Sequence, residues 1–201
     1  DLLSGYRPAT GAQGSYNVDG ILLPRPFKVV RLSPVGLFVN DVAASAQFYQ
    51  QRLGFTLTEE TTVAGERATF LRHGAEHHSL ALLPKSVRAS LGMSTETTSA
   101  WFGVQLANYR QLRDAVAFLE KEGVTIKYLP AELFPGVGHS ALAIDAEGHA
   151  MQLYSYMEQI GWDGKPQPAA QRPHIDNAHW PELLDPVSDV YCGEVFLGPV
   201  G

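Results

Sequence analysis

The sequence predicts an α+β fold in which two βαβββ modules form cupped mixed sheets around a cleft. A strand, a helix and three short strands occur in this order over about residues 29–84 and again over about residues 100–156. Each helical segment is followed by a glycine, Gly54 or Gly123, the residue that most readily adopts the left-handed conformation beyond a helix end. One such unit cannot bury its own sheet face, so we expect the two units to pair.

The first module begins with a β-rich run at residues 29–39, which Pro34 interrupts. Asp41 is a residue type that caps helix N-termini, and apolar residues at helical spacing follow it as far as Leu53. Turn-forming residues such as Gly65 then separate short β-rich segments. Strands are predicted after this helix at about 54–61, 66–72 and 78–83.

The second module repeats the order of the first. Residues 101–106 predict a strand, and residues 108–122 predict a helix with apolar residues at helical spacing. The strands after this helix are predicted at about 124–129, 139–145 and 149–156.

The two ends of the chain are rich in proline or glycine and lack regular periodicity. Residues 1–28 are predicted to be an extended arm or a linker. Residues 157–201 contain six prolines but also large apolar side chains, so we expect a C-terminal extension packed on the domain. The chain begins with Asp1 rather than Met, which suggests a piece of a longer protein with an upstream domain.

Composition limits the classes of partner. The net charge of −6 argues against nucleic acid, because binding to phosphates requires an excess of Lys and Arg. No apolar run approaches the ~18 residues of a membrane helix. The single Cys192 excludes an internal disulfide and fits a reducing cytoplasm. We expect a cytoplasmic protein that binds a small molecule. We also expect the domain to contact either a second copy of the chain, as in a dimer, or an upstream domain of a longer chain.

Three motifs carry a resemblance to a known family. Val39-Asn40-Asp41, Phe48-Tyr49 and Leu53-Gly54-Phe55 resemble the first-module signature of the vicinal oxygen chelate superfamily. This superfamily includes glyoxalase I, extradiol ring-cleaving dioxygenases, and fosfomycin and bleomycin resistance proteins. The turn from Asp145 to Gly148 resembles the turn that precedes the last strand of that fold, and the resemblance covers about residues 32–156.

The segment His77-His78-Ser79-Leu80-Ala81 is similar to a strand in the catalytic domain of extradiol dioxygenases. This resemblance implies that His78 is an acid–base residue, since the second histidine of the pair has that role in those enzymes. A histidine with a pKa near neutrality suits proton transfer. The alternative is a histidine hydrogen-bonded across strands with a structural role.

The resemblance also identifies three metal positions, and all of them are substituted. Those enzymes bind iron through two histidines and one glutamate. The corresponding positions hold Pro34, seven residues before Asp41, then Trp101, and Gln152, four residues after Gly148. Proline and tryptophan do not coordinate metals, and a neutral amide lacks the anionic oxygen that divalent metals prefer. We therefore expect no cofactor and no metal at the usual site.

Relocated ligands are an alternative source of a metal site. His139 opens the seventh strand of the predicted pair of modules and would face His78 across the cleft, so these two residues and a carboxylate would hold Fe(II) or Mn(II). His77 is expected to point away from this cleft, because neighbouring residues of a strand face opposite sides.

The predicted site combines catalytic and substrate-binding residues. His78 and His139 are the candidate catalytic residues, with His139 on a loop over the cleft. Trp101 is expected to stack on an aromatic ligand or to pack in the core. Gln152 is expected to hydrogen-bond the substrate or to be a silent replacement, and Tyr154 shares its strand face.

Two hypotheses of different classes follow. The first is an extradiol-dioxygenase-like enzyme, of the dioxygenase or lyase type, that acts on a small aromatic or oxygen-rich molecule. It would lack the usual Fe(II) site and use His78 as its acid–base residue. A variant of this hypothesis is a ring-cleaving dioxygenase that binds Fe(II) or Mn(II) through relocated ligands. The second is a metal-free small-molecule-binding or structural partner domain of the same fold. The two differ in whether His78 and Gln152 line an enclosed pocket or side chains such as Trp101 fill the cup.

Overall fold

The computed structural model of the chain describes residues 15–161 and 163–184. A hairpin of β1 (Tyr16–Val18) and β2 (Ile21–Leu23) precedes the main sheet. The first module consists of β3 (Val29–Val39), α1 (Val42–Leu53), β4 (Thr56–Val63), β5 (Glu66–Arg72) and β6 (Leu80–Pro84). The second consists of β7 (Ser99–Leu106), α2 (Tyr109–Lys121), β8 (Thr125–Lys127), β9 (Ser140–Ile144) and β10 (Ala150–Tyr154).

One mixed sheet joins the two modules. Its strand order is β4-β5-β6-β3-β7-β10-β9-β8, so the first strands of the two modules, β3 and β7, are antiparallel neighbours at its centre. Each of these strands pairs in parallel with the last strand of its own module, β6 or β10. The predicted α+β fold of two βαβββ modules is confirmed.

Local side chains set the helix boundaries. The Asp41 carboxylate accepts a hydrogen bond from the Ala44 backbone N–H at 2.9 Å, and α1 ends at Gly54, whose φ is 74°. The side-chain oxygen of Asn108 accepts in the same way from the Gln111 backbone N–H at 2.9 Å. These caps explain why both helices begin within a residue or so of the predicted positions.

Three groups of buried side chains stabilise the fold. One lies beneath α1 and one beneath α2, on the helical face of the sheet. The third, which we call the inner cluster, contains no residue of α1 or α2 and combines strands of both modules with the segments after β6, β8 and β10. Its larger members are Phe38, Phe70, Leu83, Trp101, Leu133, Phe134, Leu142 and Tyr154.

The segment before β6 differs from the prediction. The strand begins at Leu80 rather than at residue 78, and Glu76 instead forms an isolated antiparallel bridge with Gln159. His77 and His78 are therefore not part of a regular strand, and both rings are buried and in contact with each other. The expectation that His77 and His78 face opposite sides is wrong, because strand alternation does not apply to this irregular segment.

The C-terminal segment is largely irregular. Residues 163–184 contain one short 3₁₀ helix, Ala169–Gln171, and the Tyr109 hydroxyl donates a hydrogen bond to the Pro181 carbonyl at 2.6 Å. Residues 1–14, Trp162 and residues 185–201 lie outside the described part of the chain, so the predictions for them stay predictions. Neither helix among the described residues has the length and apolar character needed to cross a membrane.

Candidate functional site

The three positions that the sequence resemblance identifies with metal ligands lie on adjacent strands. Pro34 is on β3, Trp101 on β7 and Gln152 on β10, and all three are buried. In the parallel ladder between β7 and β10, Gln152 lies opposite Gly103, two residues after Trp101. The substituted positions therefore share one region of the sheet, at its centre.

Close backbone approaches occupy the space around these positions. A β-carbon at Gly36 would lie 2.8 Å from two atoms of the Trp101 indole, so glycine is required there for the indole to lie across β3. A β-carbon at Gly103 would overlap the Ser33 carbonyl oxygen, so the backbone before Pro34 passes directly over this residue. We call the face of the sheet that carries the inner cluster the cup. Trp101 and the bulged part of β3 thus fill the centre of this cup.

Aromatic side chains fill the rest of the cup. The rings of Trp101 and Phe134 pack edge to face, with centroids 5.0 Å apart. Phe70 and Tyr154 belong to the same cluster and are fully buried, and burial raises the pKa of the Tyr154 hydroxyl far above its usual value. Tyr154 therefore stays protonated at neutral pH.

Several polar atoms are buried in or beside this packed region without a hydrogen-bond partner among the described residues. They are the Trp101 indole N–H, both polar atoms of the Gln152 amide, and Nε2 of His78. The His78 ring packs against Phe70 with centroids 4.9 Å apart, and Phe70 belongs to the inner cluster. Buried polar atoms without partners are rare in native proteins, and each one usually has a functional or solvation reason.

A chain of hydrogen-bonding groups runs from His78 to the protein surface. Nδ1 of His78 lies 3.0 Å from Nδ1 of His77, and Nε2 of His77 lies 2.9 Å from a carboxylate oxygen of Glu59. Glu59 is on β4, and its side chain is 19% exposed, whereas the His77 side chain is fully buried. The chain thus connects an interior imidazole to a carboxylate at the surface.

Arg172 closes this chain from the C-terminal segment. Its two terminal nitrogens donate to the two carboxylate oxygens of Glu59, at 3.1 and 2.7 Å. Its Nε donates to Glu158 at 3.2 Å, and Nη2 lies 3.2 Å from the same Glu158 oxygen. One guanidinium therefore holds two carboxylates and ties the C-terminal segment to β4 and to the chain after β10.

The environment fixes the charges of these groups. Burial alone would raise the pKa of Glu59, but hydrogen bonds from His77 and Arg172 and their charges outweigh it and lower the pKa to about 2. For His78, burial lowers the pKa well below its usual value, and the nearby His77 and Arg172 lower it further. Glu59 is therefore ionised and His78 neutral near pH 7.

The second predicted catalytic histidine lies elsewhere. The His139 ring contacts Tyr109 and Trp180, with centroids 5.2 and 5.8 Å apart, and Tyr109 belongs to the cluster beneath α2. Burial lowers the pKa of His139, and the Asp176 carboxylate partly opposes this effect. The ring contacts of His78 and His139 are with different clusters, so the structure does not bring these two histidines together.

A cleft of about 1040 Å³ opens beside the filled cup. It is bordered by β4, by the segment before β9, by the residues after β10 and by the C-terminal segment. Of the predicted site residues only His139 lines it. Its lining also includes charged, apolar and small residues: Glu59, Glu132, Phe134, Pro135, Val137, Glu158, Ala169, Arg172, Ile175, Asp176 and Leu183.

Comparison with protein families decides the classification. The family described as Glyoxalase/Bleomycin resistance protein/Dioxygenase superfamily matches residues 31–153, more than half of the chain. The chain belongs to this superfamily. No curated protein matches the sequence.

Solved structures similar to this glyoxalase-superfamily chain include extradiol dioxygenases. Homoprotocatechuate 2,3-dioxygenase from Arthrobacter globiformis is 23% identical with a TM-score of 0.54, and the match covers 67% of this chain and 38% of that one. The enzyme from Brevibacterium fuscum, in complex with 3,4-dihydroxyphenylacetate, is 18% identical with a TM-score of 0.56, covering 68% and 40%. The 2,3-dioxygenase LapB from Pseudomonas sp. KL28 is 19% identical with a TM-score of 0.53, covering 66% and 43%. The chain spans less than half the length of these proteins, and at this identity the likeness shows the fold.

The residues at the superfamily's metal positions do not fit a divalent metal. Pro34 and Trp101 have no donor lone pair to offer, and Gln152 offers only a neutral amide oxygen. Within residues 15–161 and 163–184, no three histidine, cysteine or carboxylate side chains come together in a way that would hold a metal ion. The described residues therefore offer neither the usual nor a relocated donor set.

Sequence reasoning missed the carboxylates and the arginine at the edge of the cleft. Glu59 lies in a polar strand without a distinctive motif, and its partner Arg172 is 113 residues away. Only the His77-His78 pair signalled this region in the sequence. Glu59 and Arg172 come together through tertiary contacts alone.

Proposed function

We propose that this chain is a metal-independent small-molecule-binding domain of the glyoxalase/bleomycin resistance protein/dioxygenase superfamily, with its ligand in the cleft rather than in the cup. The observation that carries this proposal is the packing of Trp101 and of the Ser33–Pro34 backbone through the centre of the cup, where the family's metal would lie. A cleft of about 1040 Å³ remains beside it, which is large enough for a small organic ligand.

The charges of the cleft favour a ligand without a carboxylate. Four carboxylates line it, Glu59, Glu132, Glu158 and Asp176, whereas Arg172 is the one arginine or lysine among the described lining residues. Because Arg172 already donates to Glu59 and Glu158, it offers no free cation to an anionic ligand. Phe134, Pro135, Val137, Ile175 and Leu183 supply apolar surface. A neutral or cationic aromatic or oxygen-rich molecule therefore fits the cleft best.

The test is calorimetric titration with three catechols that differ mainly in charge: 3,4-dihydroxyphenylacetate, 4-methylcatechol and 3,4-dihydroxyphenethylamine. We expect affinity to rise in that order, by about tenfold between the anion and the cation, because one screened charge–charge contact is worth about 1.4 kcal/mol. Ala169→Trp, which places a ring in the cleft, is expected to abolish binding, and Ala117→Trp on the exposed surface of α2 is the matched control. Equal binding by both variants, or tightest binding of the anion, would contradict the proposal.

Metal independence is tested on the same protein. The chain is purified anaerobically, incubated with Fe(II), Mn(II) or Zn(II), desalted and analysed for elements. We expect much less than one metal ion per chain and unchanged binding of the catechols after chelation. About one tightly held metal per chain would refute metal independence.

A second candidate function is proton transfer by His78. The observation that favours it is the buried Nε2, which has no hydrogen-bond partner among the described residues and lies on a ring linked through His77 to the cleft residue Glu59. His78 does not line the cleft, so it would act on a cleft ligand through His77 and Glu59; where such a ligand is converted, His78→Gln is expected to lower turnover and leave binding intact. Turnover by the variant at the wild-type rate would remove His78 from the mechanism.

A further inference from the structure

The His139 side chain borders the cleft, although only 7% of the residue is exposed. Its Nδ1 atom is buried and has no hydrogen-bond partner among the described residues. Of the two ring nitrogens, Nε2 is therefore the one left to meet a ligand. Because buried polar side chains in native proteins usually have partners, an imidazole placed in this way calls for a functional explanation.

The surrounding structure holds the His139 ring in place. The rings of Tyr109 and Trp180 contact it, with centroids 5.2 and 5.8 Å away. The backbone N–H of the next residue, Ser140, donates to the side-chain oxygen of the buried Asn177 at 3.0 Å, which ties the start of β9 to the C-terminal segment. A side chain that is already held in position loses little conformational entropy when a ligand binds to it.

The environment also decides which nitrogen of His139 carries a proton. Burial lowers the pKa of His139, and the Asp176 carboxylate only partly opposes this effect, so the ring is neutral near pH 7 and has a single N–H. A proton on Nδ1 would leave a buried donor without an acceptor, which costs free energy. On Nε2 the same proton can be donated to water or to a ligand in the cleft. Nε2 is therefore the donor.

We propose that His139 is a ligand-binding residue of the cleft, which donates a hydrogen bond from Nε2 to a hydroxyl or carbonyl oxygen of the ligand. This inference rests on the proposed binding function and deepens it. A role in binding suits this ring better than proton transfer does, because no carboxylate is hydrogen-bonded to Nδ1 to orient the ring and stabilise it in the charged form.

The charges of the cleft complete the description of the ligand. An N–H donor requires an oxygen with a lone pair, and an ammonium group has none to offer. The ammonium group of a cationic ligand would instead meet Glu132 or Asp176, because Arg172 is already paired with the other two carboxylates of the lining. The ligand class that fits is therefore an aromatic molecule that carries both a hydroxyl and an ammonium group.

The test is calorimetric titration of the whole chain with 3,4-dihydroxyphenethylamine and with phenethylamine, which has the same ammonium group but no hydroxyl. Wild type is expected to bind the dihydroxy compound more tightly. In His139→Phe, which keeps a ring against Tyr109 and Trp180, this preference is expected to fall about threefold to tenfold, the contribution of one hydrogen bond. His139→Gln keeps an N–H donor and is expected to keep most of the preference.

The control is His149→Phe, which makes the same change at an exposed histidine outside the cleft and is expected to leave the preference unchanged. An unchanged preference in a folded His139→Phe protein, or an equal fall in His149→Phe, refutes the inference while the binding function stands. If wild type binds neither the catechols named above nor phenethylamine, the proposed function and the inference fail together.

A second measurement decides the question if the phenylalanine variant does not fold. Long-range ¹H–¹⁵N NMR of wild type with labelled histidine reports on both nitrogens of His139, whose signals are assigned from their loss in His139→Gln. Nε2 is expected to carry the proton and to shift on addition of the dihydroxy compound but not of phenethylamine. A proton on Nδ1, or the same shift with both compounds, overturns the proposal.

Discussion

Replacing Arg172 with Met is expected to destabilise the protein by about 2–3 kcal/mol near pH 7. The shift of the Glu59 pKa from 4.5 to about 2 corresponds to about 3 kcal/mol of pH-dependent stability, which Arg172 shares with His77. The variant also leaves Glu158 without the guanidinium that pairs with it, and the Glu158 side chain is only 10% exposed. Loss of the charged hydrogen bonds to this buried carboxylate costs about a further 1–2 kcal/mol.

The matched control is Arg67→Met. Arg67 also pairs with a β4 carboxylate, Glu60, but the Arg67 side chain is 61% exposed. An exposed ion pair contributes about 0–1 kcal/mol, so the control is expected to lose well under half as much stability. The measurement is urea unfolding of both variants, in which the midpoint falls and the m-value stays constant. Equal losses in the two variants would refute the assignment of stability to the Arg172 cluster.

The pH dependence gives this prediction a second test. Because the folded-state pKa of Glu59 is lowered, its stabilising contribution is complete above about pH 4.5 and is lost as the pH falls towards about 2. Without Arg172 the carboxylate is less acidic, so less stability remains to be lost. The difference between wild type and Arg172→Met is therefore expected to be constant from pH 7 to about 5 and to shrink below about 4.5. A difference that stays constant down to pH 2.5 would show that Glu59 is not involved.

Three further predictions concern the cup and the first helix, each measured by urea unfolding. Trp101→Ala is expected to destabilise by about 3–5 kcal/mol, because the indole is 1% exposed and fills the cup; a loss below about 1 kcal/mol would contradict this packing. Gly36→Ala is expected to lower the free energy of unfolding by about 1–3 kcal/mol, because its β-carbon would lie 2.8 Å from that indole. In the Trp101→Ala background the same substitution is expected to cause no further loss of stability. Asp41→Ala removes the N-cap of α1 and is expected to cost about 1 kcal/mol, whereas Asp41→Asn should be nearly neutral.

Local sequence signals were sufficient to predict the two modules. Asp41 and Asn108 cap the helices, and Gly54 takes the left-handed conformation at the end of α1. These interactions span only a few residues, so a short sequence window contains all of them. The duplicated order then implied pairing of the modules, and the antiparallel contact of β3 with β7 supplies it.

The start of β6 was not predictable in the same way. The His77 backbone N–H donates to the Glu158 carbonyl at 2.8 Å, and Glu76 bridges to Gln159, so this segment pairs with a strand-like stretch about 80 residues away rather than extending β6. Nothing near His77 in the sequence encodes that partner. The same reasoning applies to Arg172, whose contact with Glu59 depends on the path of the whole C-terminal segment.

The residue types at positions 34, 101 and 152 and the filling of the cup are one structural feature rather than two. A carboxylate alone, as in Gln152→Glu, would place a charge at a fully buried position whose side chain has no hydrogen-bond partner among the described residues, which costs several kcal/mol unless the group takes up a proton. A histidine at position 101 would remove the indole that lies across Gly36 and leave a cavity. The Ser33–Pro34 backbone, which passes over Gly103, would still obstruct the space around position 34. Because each of these substitutions is unfavourable on its own, the packed cup is a stable arrangement, and under the proposed function the ligand binds in the cleft beside Glu59 and Arg172.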